Sequence, residues 1–167
     1  HTRQGQTAEA RAVLEAALKK HPGHVALTRA LFQALIDAKE YAEARKSLHG
    51  AQAAALEGSL RSELLTLEAS SYRSEGLFER ALAVYRTASQ VAPSSMSYAQ
   101  EAVVLEKLKR YADAVAALRA AKAVDRGNPA SYWDEQIERL RHQSLVEREA
   151  VLQGNKGDAG GTTKDAP

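Results

Sequence analysis

Residues 111–121 read YADAVAALRAA, and three other stretches have nearly the same pattern: TAEARAVLEAA at 7–17, YAEARKSLHGA at 41–51 and FERALAVYRTA at 78–88. The fourth and eleventh positions are alanine in all four stretches, and the eighth is leucine or tyrosine. Offsets of three and four residues place these positions on one face of an α-helix. Because small side chains let neighbouring helices approach closely, the pattern predicts four copies of a helix that packs tightly against another helix.

A second helical pattern precedes each of the last three copies. Its apolar positions are Leu31, Phe32 and Leu35 before the second copy, Leu65, Ala69 and Tyr72 before the third, and Tyr98, Ala102 and Leu105 before the fourth. Clusters of Pro, Gly, Ser and Asn at 20–24, 91–95 and 125–129 predict turns between the helix pairs. Period-2 alternation of Val and Ile is absent, so the sequence predicts an all-α fold.

Composition narrows the class of protein. Apolar residues make up 44% and charged residues 26% of the chain, which is typical of a folded protein. The net charge is +2 with both signs interleaved, which argues against a nucleic-acid partner. No apolar run approaches the ~20 residues that span a bilayer. With no cysteine, disulfides and thiolate sites are excluded, and both cytoplasm and periplasm stay open as compartments.

A period near 34 residues with this motif resembles the tetratricopeptide repeat family. Pro22 and Pro93 stand where the family places proline, and Gly5 and Gly76 stand where it places a glycine between two helices. The resemblance covers about residues 1–128. It implies a right-handed superhelix of antiparallel helix pairs whose first helices line a concave groove.

The predicted boundaries follow the repeat register. They are a truncated first repeat at 1–24 that retains only its second helix, three repeats at 25–58, 59–95 and 96–128, a capping helix at 129–152 and a flexible tail at 153–167.

Several positions depart from the family pattern. Phe32 replaces a small residue, so we expect the helices of the second repeat to cross farther apart. Leu56 replaces the expected proline, so we expect the helix at 41–57 to run about one turn longer. The short spacing to the fourth copy implies a tightened turn at 94–97. Glu68 and Glu101 replace apolar residues, and we expect both at the edge of the packing.

Only residues 1–4 precede the first copy, so Leu14 and Leu18 are expected to form an open apolar edge. One interpretation is a processing boundary or an excerpt, and the other is that a second subunit or domain covers this edge. Both interpretations imply that the parent protein extends upstream.

At the other end, Trp133, Ile137 and Leu140 form a stripe that we expect to face the array, with Glu135 and Arg139 paired on the outer face. The polar remainder is typical of a capping helix, although the same helix could dock on a partner. The residues after Leu152 carry no apolar periodicity and predict a mobile tail.

No catalytic or metal-binding pattern stands out. His21 and His24 flank a Pro-Gly turn, but a metal site needs a third ligand, so solvated turn histidines are the favoured interpretation. Serines 59, 62, 70, 71 and 74 lie on a helix without a base or a G-x-S-x-G turn, which favours capping or groove lining. The sequence therefore predicts no enzyme, no cofactor and no metal site.

The resemblance implies which side chains line the groove, a mixture of both charges with some apolar area that suits an extended peptide or a partner helix. Asparagines occur only at 128 and 155, so the family's carboxylate clamp is absent, and the competing interpretation is an ordinary solvated surface. The groove residues are Arg29, Gln33, Ile36, Asp37, Glu63, Thr66, Ser70, Arg73, Met96, Ala99, Val103 and Lys107.

The leading functional hypothesis is a scaffold that binds a protein or peptide through this groove or through the open N-terminal edge, within a multiprotein assembly. One alternative is a non-catalytic segment of a larger envelope-biogenesis or regulatory protein, in a bacterium as the Ala- and Arg-rich composition suggests. The other alternative is a structural module that self-associates through the N-terminal edge.

Overall fold

A computed structural model describes the backbone of residues 2–158 and the side chains of residues 8–153. This part of the chain is helical throughout, with short connections and no strand, which confirms the predicted all-α array of helix pairs. Its elements are α1 (Thr2–Lys20), α2 (Val25–Asp37), α3 (Tyr41–Ser47), α4 (His49–Ala54), α5 (Gly58–Glu75), α6 (Phe78–Val91), α7 (Ser95–Lys107), α8 (Tyr111–Val124) and α9 (Ala130–Asp158).

Consecutive helices pack as pairs along the array. The pairs are α2 with α3, α5 with α6, and α7 with α8, while α1 packs against α2 and α9 packs against α8. Three residues, 92–94, connect α6 to α7, which confirms a turn within 91–95. The tightened turn expected at 94–97 is misplaced, because α7 already begins at Ser95. No helix of the described residues is both long enough and apolar enough to cross a bilayer.

The turn inside each pair has the same geometry. A left-handed residue ends the first helix: Lys39 (φ 61°), Gly76 (φ 85°) and Lys109 (φ 58°). The N–H of the next residue then donates to a carbonyl in the last turn of that helix, with an N···O distance of 2.8 Å in each case. This bond satisfies a carbonyl that the helix end would leave unpaired. Only Gly76 has the glycine that adopts this conformation without a steric cost.

The repeated alanines lie at the contact between helices. In the three complete pairs, Ala44, Ala81, Ala88, Ala114 and Ala121 are 0% exposed and Ala51 is 1% exposed. In α1 the equivalent Ala10 is exposed and Ala17 is half-buried. A methyl group at each position leaves room for the partner helix, which explains why the sequence repeats alanine there.

The buried residues form two separate cores. The N-terminal core contains Leu31, Phe32, Leu35 and Leu48 and takes Leu64 from α5. The C-terminal core begins with Ala69, also on α5, and extends through Tyr85 and Leu105 to α9. Helix α5 therefore belongs to both cores, with Leu60, Leu64 and Leu67 in the N-terminal core and Ala69 and Tyr72 in the C-terminal core.

Helix α1 is continuous from Thr2 to Lys20, so the expected break at Gly5 is wrong. Glycine alone does not end a helix. It lowers helix stability by about 1 kcal/mol relative to alanine, which a longer helix tolerates.

The second helix of the second repeat is shorter than expected, because it breaks at Leu48 and ends at Ala54 instead of running on to residue 57. The Ser47 hydroxyl donates to the Ala44 carbonyl at 2.7 Å, a bond that competes with helix geometry. One turn later, Gly50 lies so close to Pro22 that a Cβ atom would be 2.4 Å from the Pro22 carbonyl oxygen. The contact with the loop between α1 and α2 thus shapes this helix. Leu56, which lies after the end of the helix, is 94% exposed.

Three residues that depart from the family pattern, Glu68, Glu101 and Phe32, do not all lie where they were expected. Glu68 is half-buried and accepts a hydrogen bond from Gln52 at 2.9 Å. Glu101 is 9% exposed, so its expected place at the edge is wrong, and the Arg86 side chain on α6 donates to it at 3.1 Å. A buried carboxylate needs such a partner. Phe32 is 3% exposed, and the wider crossing of its helices stays a prediction.

The C-terminal helix is longer than expected. Trp133, Ile137 and Leu140 are each 5% exposed or less and face the array as predicted. Arg139 binds Glu106 on α7 through two bonds of 2.7 and 2.9 Å, so the expected pair with Glu135 is replaced by a contact between helices. Helix α9 continues to Asp158, which corrects the predicted tail over 153–158, and residues 159–167 lie outside the described part.

Asp125 joins the loop before α9 to α9 itself. Its carboxylate accepts hydrogen bonds from the Asn128 side chain at 2.8 Å, the Gly127 N–H at 3.1 Å and the Trp133 indole at 2.8 Å. These bonds, the Asn128 bond foremost, lower the pKa of Asp125 from 3.8 to about 2. Hydrogen bonds to the charged form favour ionisation, so ionised Asp125 stabilises the start of α9.

We expect Gly50→Ala to lower the free energy of unfolding by about 1 kcal/mol or more. Overpacking against a backbone oxygen costs ~1–3 kcal/mol, which exceeds the ~0.5–1 kcal/mol that alanine adds to a helix. Urea denaturation followed by circular dichroism measures the change. Gly58→Ala is the matched control, since its Cβ would lie 3.4 Å from the Val91 oxygen. Equal stability of both variants would contradict the proposed clash.

We expect Asp125→Asn to be less stable than the wild type near pH 6, with the difference shrinking as pH falls from about 4 to about 2. The folded-state pKa is depressed, so the ionised carboxylate stabilises the fold above the unfolded pKa of 3.8 and this contribution is lost on acidification. Urea midpoints at several pH values measure it. Asn128→Ala should make the wild-type acid dependence shallower. A constant difference from pH 6 to pH 2 would refute the assignment.

Candidate protein-binding groove

Side chains connect the first helices of neighbouring pairs. The Arg29 guanidinium on α2 forms an ion pair with the Glu63 carboxylate on α5. The Arg73 guanidinium, also on α5, donates a hydrogen bond to the Gln100 amide oxygen on α7. These contacts place α2, α5 and α7 side by side. We call their shared exposed surface the first-helix face.

A cleft of about 250 Å³ lies between α5 and α7 on this face. It brings together three of the predicted groove residues, Glu63, Thr66 and Met96. Thr66 donates its hydroxyl to the Ser62 carbonyl at 2.9 Å, so part of the polar lining is already bonded. Met96 is 61% exposed and offers a flexible apolar side chain at the rim. The cleft can therefore hold an apolar side chain beside the Glu63 carboxylate.

The remaining predicted residues have several environments. Gln33 donates to Asp37 at 2.8 Å within α2, and both are exposed. Ser70 donates to the Leu67 carbonyl at 2.7 Å. Ile36 packs against the N-terminal core and Ala99 against the C-terminal core, while Val103 is 40% exposed and Lys107 is exposed. None of these seven residues lines the cleft between α5 and α7.

The histidines and serines that could serve as ligands or nucleophiles have structural contacts. The His24 ring accepts a hydrogen bond from the Leu27 N–H at 3.4 Å at the start of α2. Ser62 and Ser71 donate to the carbonyls of Ala88 and Glu68, both at 2.9 Å. Within the described part of the chain, no three His, Asp or Glu residues are close enough together to hold a metal ion. These contacts favour helix packing and capping as the roles of these side chains.

Leu14 and Leu18, expected at an open edge, are half-buried and pack against the N-terminal core. Among the described side chains of α1, the large apolar one that is exposed is instead Val13, at 68%. It lies beside a surface of small residues, because Ala12 and Ala16 are also exposed.

Two features escaped the sequence analysis. The Arg45 guanidinium lies 4.3 Å from the ring centroid of Tyr72 and donates to Glu75 at 2.8 Å, which connects the pair α2 and α3 to the pair α5 and α6. The second feature is an apolar surface on α9, where Leu145 and Val146 are at least half exposed. Apolar residues after Leu140 were a signal for this surface, whereas the partners of Arg45 left no local signal.

Comparison with known proteins identifies the fold. Two family models, both described as tetratricopeptide repeat, match residues 1–67 and 66–130. A crystal structure of MamA is 15% identical, with a TM-score of 0.58, and the match covers 99% of this chain and 92% of that one. A tetratricopeptide repeat protein from Parabacteroides merdae ATCC 43184 is 20% identical, with a TM-score of 0.61, and the match covers 96% of this chain and 63% of that one. No curated protein sequence matches the chain.

At these identities the solved structures show a shared fold and nothing finer. The two family models together span residues 1–130, and three helix pairs with the same turn and the same buried alanines lie in that span. The chain belongs to the tetratricopeptide repeat family, whose members generally serve as non-catalytic modules that bind other proteins.

Proposed function

We propose that this protein is a non-catalytic scaffold that binds an extended peptide or a helix of a partner protein on the first-helix face. The supporting observation is the open cleft between α5 and α7, where Met96 is 61% exposed at the rim. Val103, about two turns farther along α7, is 40% exposed. Exposed apolar side chains within a polar surface are typical of a protein-binding site.

The ion pair beside the cleft can be replaced by an ion pair with a bound peptide. Arg29 and Glu63 are each more than 40% exposed in their ion pair. Such exposed pairs stabilise a fold by only ~0–1 kcal/mol. A charged group on the ligand can therefore replace one member of the pair at little cost, and the cleft beside Glu63 adds apolar contact. Ion pairs would set the register of the peptide, and burial of Met96 would provide affinity.

The exposed side of α1 supports a second, independent candidate. Val13 is 68% exposed on a surface of exposed alanines, whereas Leu14 and Leu18 are packed. This N-terminal edge would bind a partner within an assembly, another part of a larger bacterial envelope-biogenesis or regulatory protein, or a second copy of the chain. Sedimentation velocity of the wild type and Val13→Glu distinguishes self-association, which requires oligomers that the substitution removes.

The first-helix face is tested with peptides selected from a random library on the immobilised protein. We expect the double variant Met96→Glu, Val103→Glu to bind the selected peptides at least ten-fold more weakly in calorimetric titrations. That loss corresponds to about 1.4 kcal/mol and reflects removal of apolar contact. Leu56→Glu is the matched control, because Leu56 is 94% exposed and lies on neither α5 nor α7.

Selected peptides that bind the double variant and the wild type equally would move the site away from this face. A loss of binding that Leu56→Glu reproduces would mean that added negative charge, and not the site, weakens the peptides. Circular dichroism of each variant verifies that the helices are retained.

A further inference from the structure

Two adjoining clefts, about 660 and 500 Å³ in volume, lie between residues 109–119, at and before the start of α8, and residues 140–152 of α9. Tyr111, Ala112, Ser144 and Arg148 line both clefts, so the two form one continuous surface. We call this surface the C-terminal cleft. It lies on α8 and α9 and shares no residue with the first-helix face.

The walls of the C-terminal cleft are apolar and exposed. Leu145 is 57% exposed, and Val151 and Leu152 are each 63% exposed. Val115 on α8 is half-buried and completes the apolar lining. Helix α9 has 29 residues against 14 in α8, and it continues beyond Glu147, which binds Tyr111 at the start of α8. These apolar side chains are too many and too close together to be scattered surface residues.

The array indicates what shape of ligand fits here. In the third and fourth repeats, α6 packs against α5 and α8 packs against α7. Helix α9 follows the same order, since it packs against α8 as α7 packs against α6. Within the described part of the chain, no further helix packs against α9 in the way that α8 packs against α7. The C-terminal cleft is therefore shaped by the same packing rule to accept a helix.

Basic side chains outnumber acidic ones in the lining of this cleft. Lys109 pairs with Glu147 at 3.4 Å, and the Tyr111 hydroxyl donates to the same carboxylate at 2.5 Å. Arg119 and Arg148 have no ion pair or hydrogen bond with any described residue. Arg110 and Arg141 are already paired with their own neighbours, Asp113 and Glu138 respectively.

We propose that the C-terminal cleft binds an amphipathic helix of another polypeptide, with its apolar face on Val115, Leu145 and Leu152 and its acidic residues beside Arg119 and Arg148. A helical ligand that buries leucine-type side chains would remove the exposed apolar surface from water. Its carboxylates would form the ion pairs that the two arginines lack. A flat anionic membrane fits a concave cleft less well than a rod does.

The test uses two synthetic 18-residue helical peptides with the same leucine stripe, one flanked by glutamates and the other by lysines. Each is titrated into the full-length, nitrogen-15-labelled protein and followed by NMR. We expect the glutamate peptide to bind at least ten-fold more tightly, with shifts centred on Ala112, Ser144 and Leu145. Its affinity should fall as salt is raised, because the attraction is between charges.

The variants test the two arginines directly. The double variant Arg119→Glu, Arg148→Glu should reverse the preference, so that the lysine peptide binds more tightly. The matched control is Arg61→Glu, Arg80→Glu, which makes the same charge change at exposed arginines on α5 and α6 and should retain the preference for the glutamate peptide.

Equal binding of both peptides, or an unchanged preference in the Arg119 and Arg148 variant, would overturn the proposal. So would NMR shifts centred on α2, α5 and α7. Another contradicting result would be shifts at α8 and α9 that depend on protein concentration in the absence of peptide. The last result would assign the cleft to a second copy of the chain. Binding to phosphatidylserine vesicles that the Arg119 and Arg148 variant loses, without peptide binding, would assign it to a membrane. The Met96 and Val103 variant should bind the glutamate peptide normally, which separates this test from that of the first-helix face.

Discussion

The close approach of paired helices at six buried alanines is the constraint on which this array depends. These side chains, at the fourth and eleventh positions of the repeated pattern in three complete pairs, are at most 1% exposed. A larger side chain at any of them would force the two helices of the pair apart. The separation of the helices fixes which residues meet across the next interface, and so it also fixes the cleft between α5 and α7.

The sequence predicted those features of the fold that depend on local pattern. The second helices start at Tyr41, Phe78 and Tyr111, the first positions of the repeated pattern, because helical periodicity is a short-range property. The errors came from contacts between distant residues. Gly50 meets Pro22 and helps to shape the helix that breaks at Leu48, and Arg86 pairs with Glu101 so that this carboxylate can be buried. Neither contact has a signature in neighbouring residues.

The same contrast between local pattern and distant contacts applies to the candidate sites. Family resemblance indicated the helix positions of the first-helix face, since those follow from the register. It could not indicate that Arg29 pairs with Glu63 or that Arg73 binds Gln100, because these contacts depend on how two helices are rotated. The C-terminal cleft escaped prediction for a related reason. Its residues on α9 lie between Leu140 and Leu152, inside the predicted capping helix, but which of them stay exposed beside α8 depends on how the two helices pack.

The division of the buried residues into two cores has a consequence for how the array opens. In a linear array, stability is nearly a sum of units and of the contacts between neighbours. Helix α5 gives Leu64 to one core and Ala69 to the other, so the boundary of cooperative unfolding lies at this helix. The helices before α5 can lose their packing on Leu64 and Leu67 while α5 stays folded on α6, where Ser62 donates to the Ala88 carbonyl. Hydrogen exchange in this protein should therefore proceed in two stages, with the N-terminal helices exposed first.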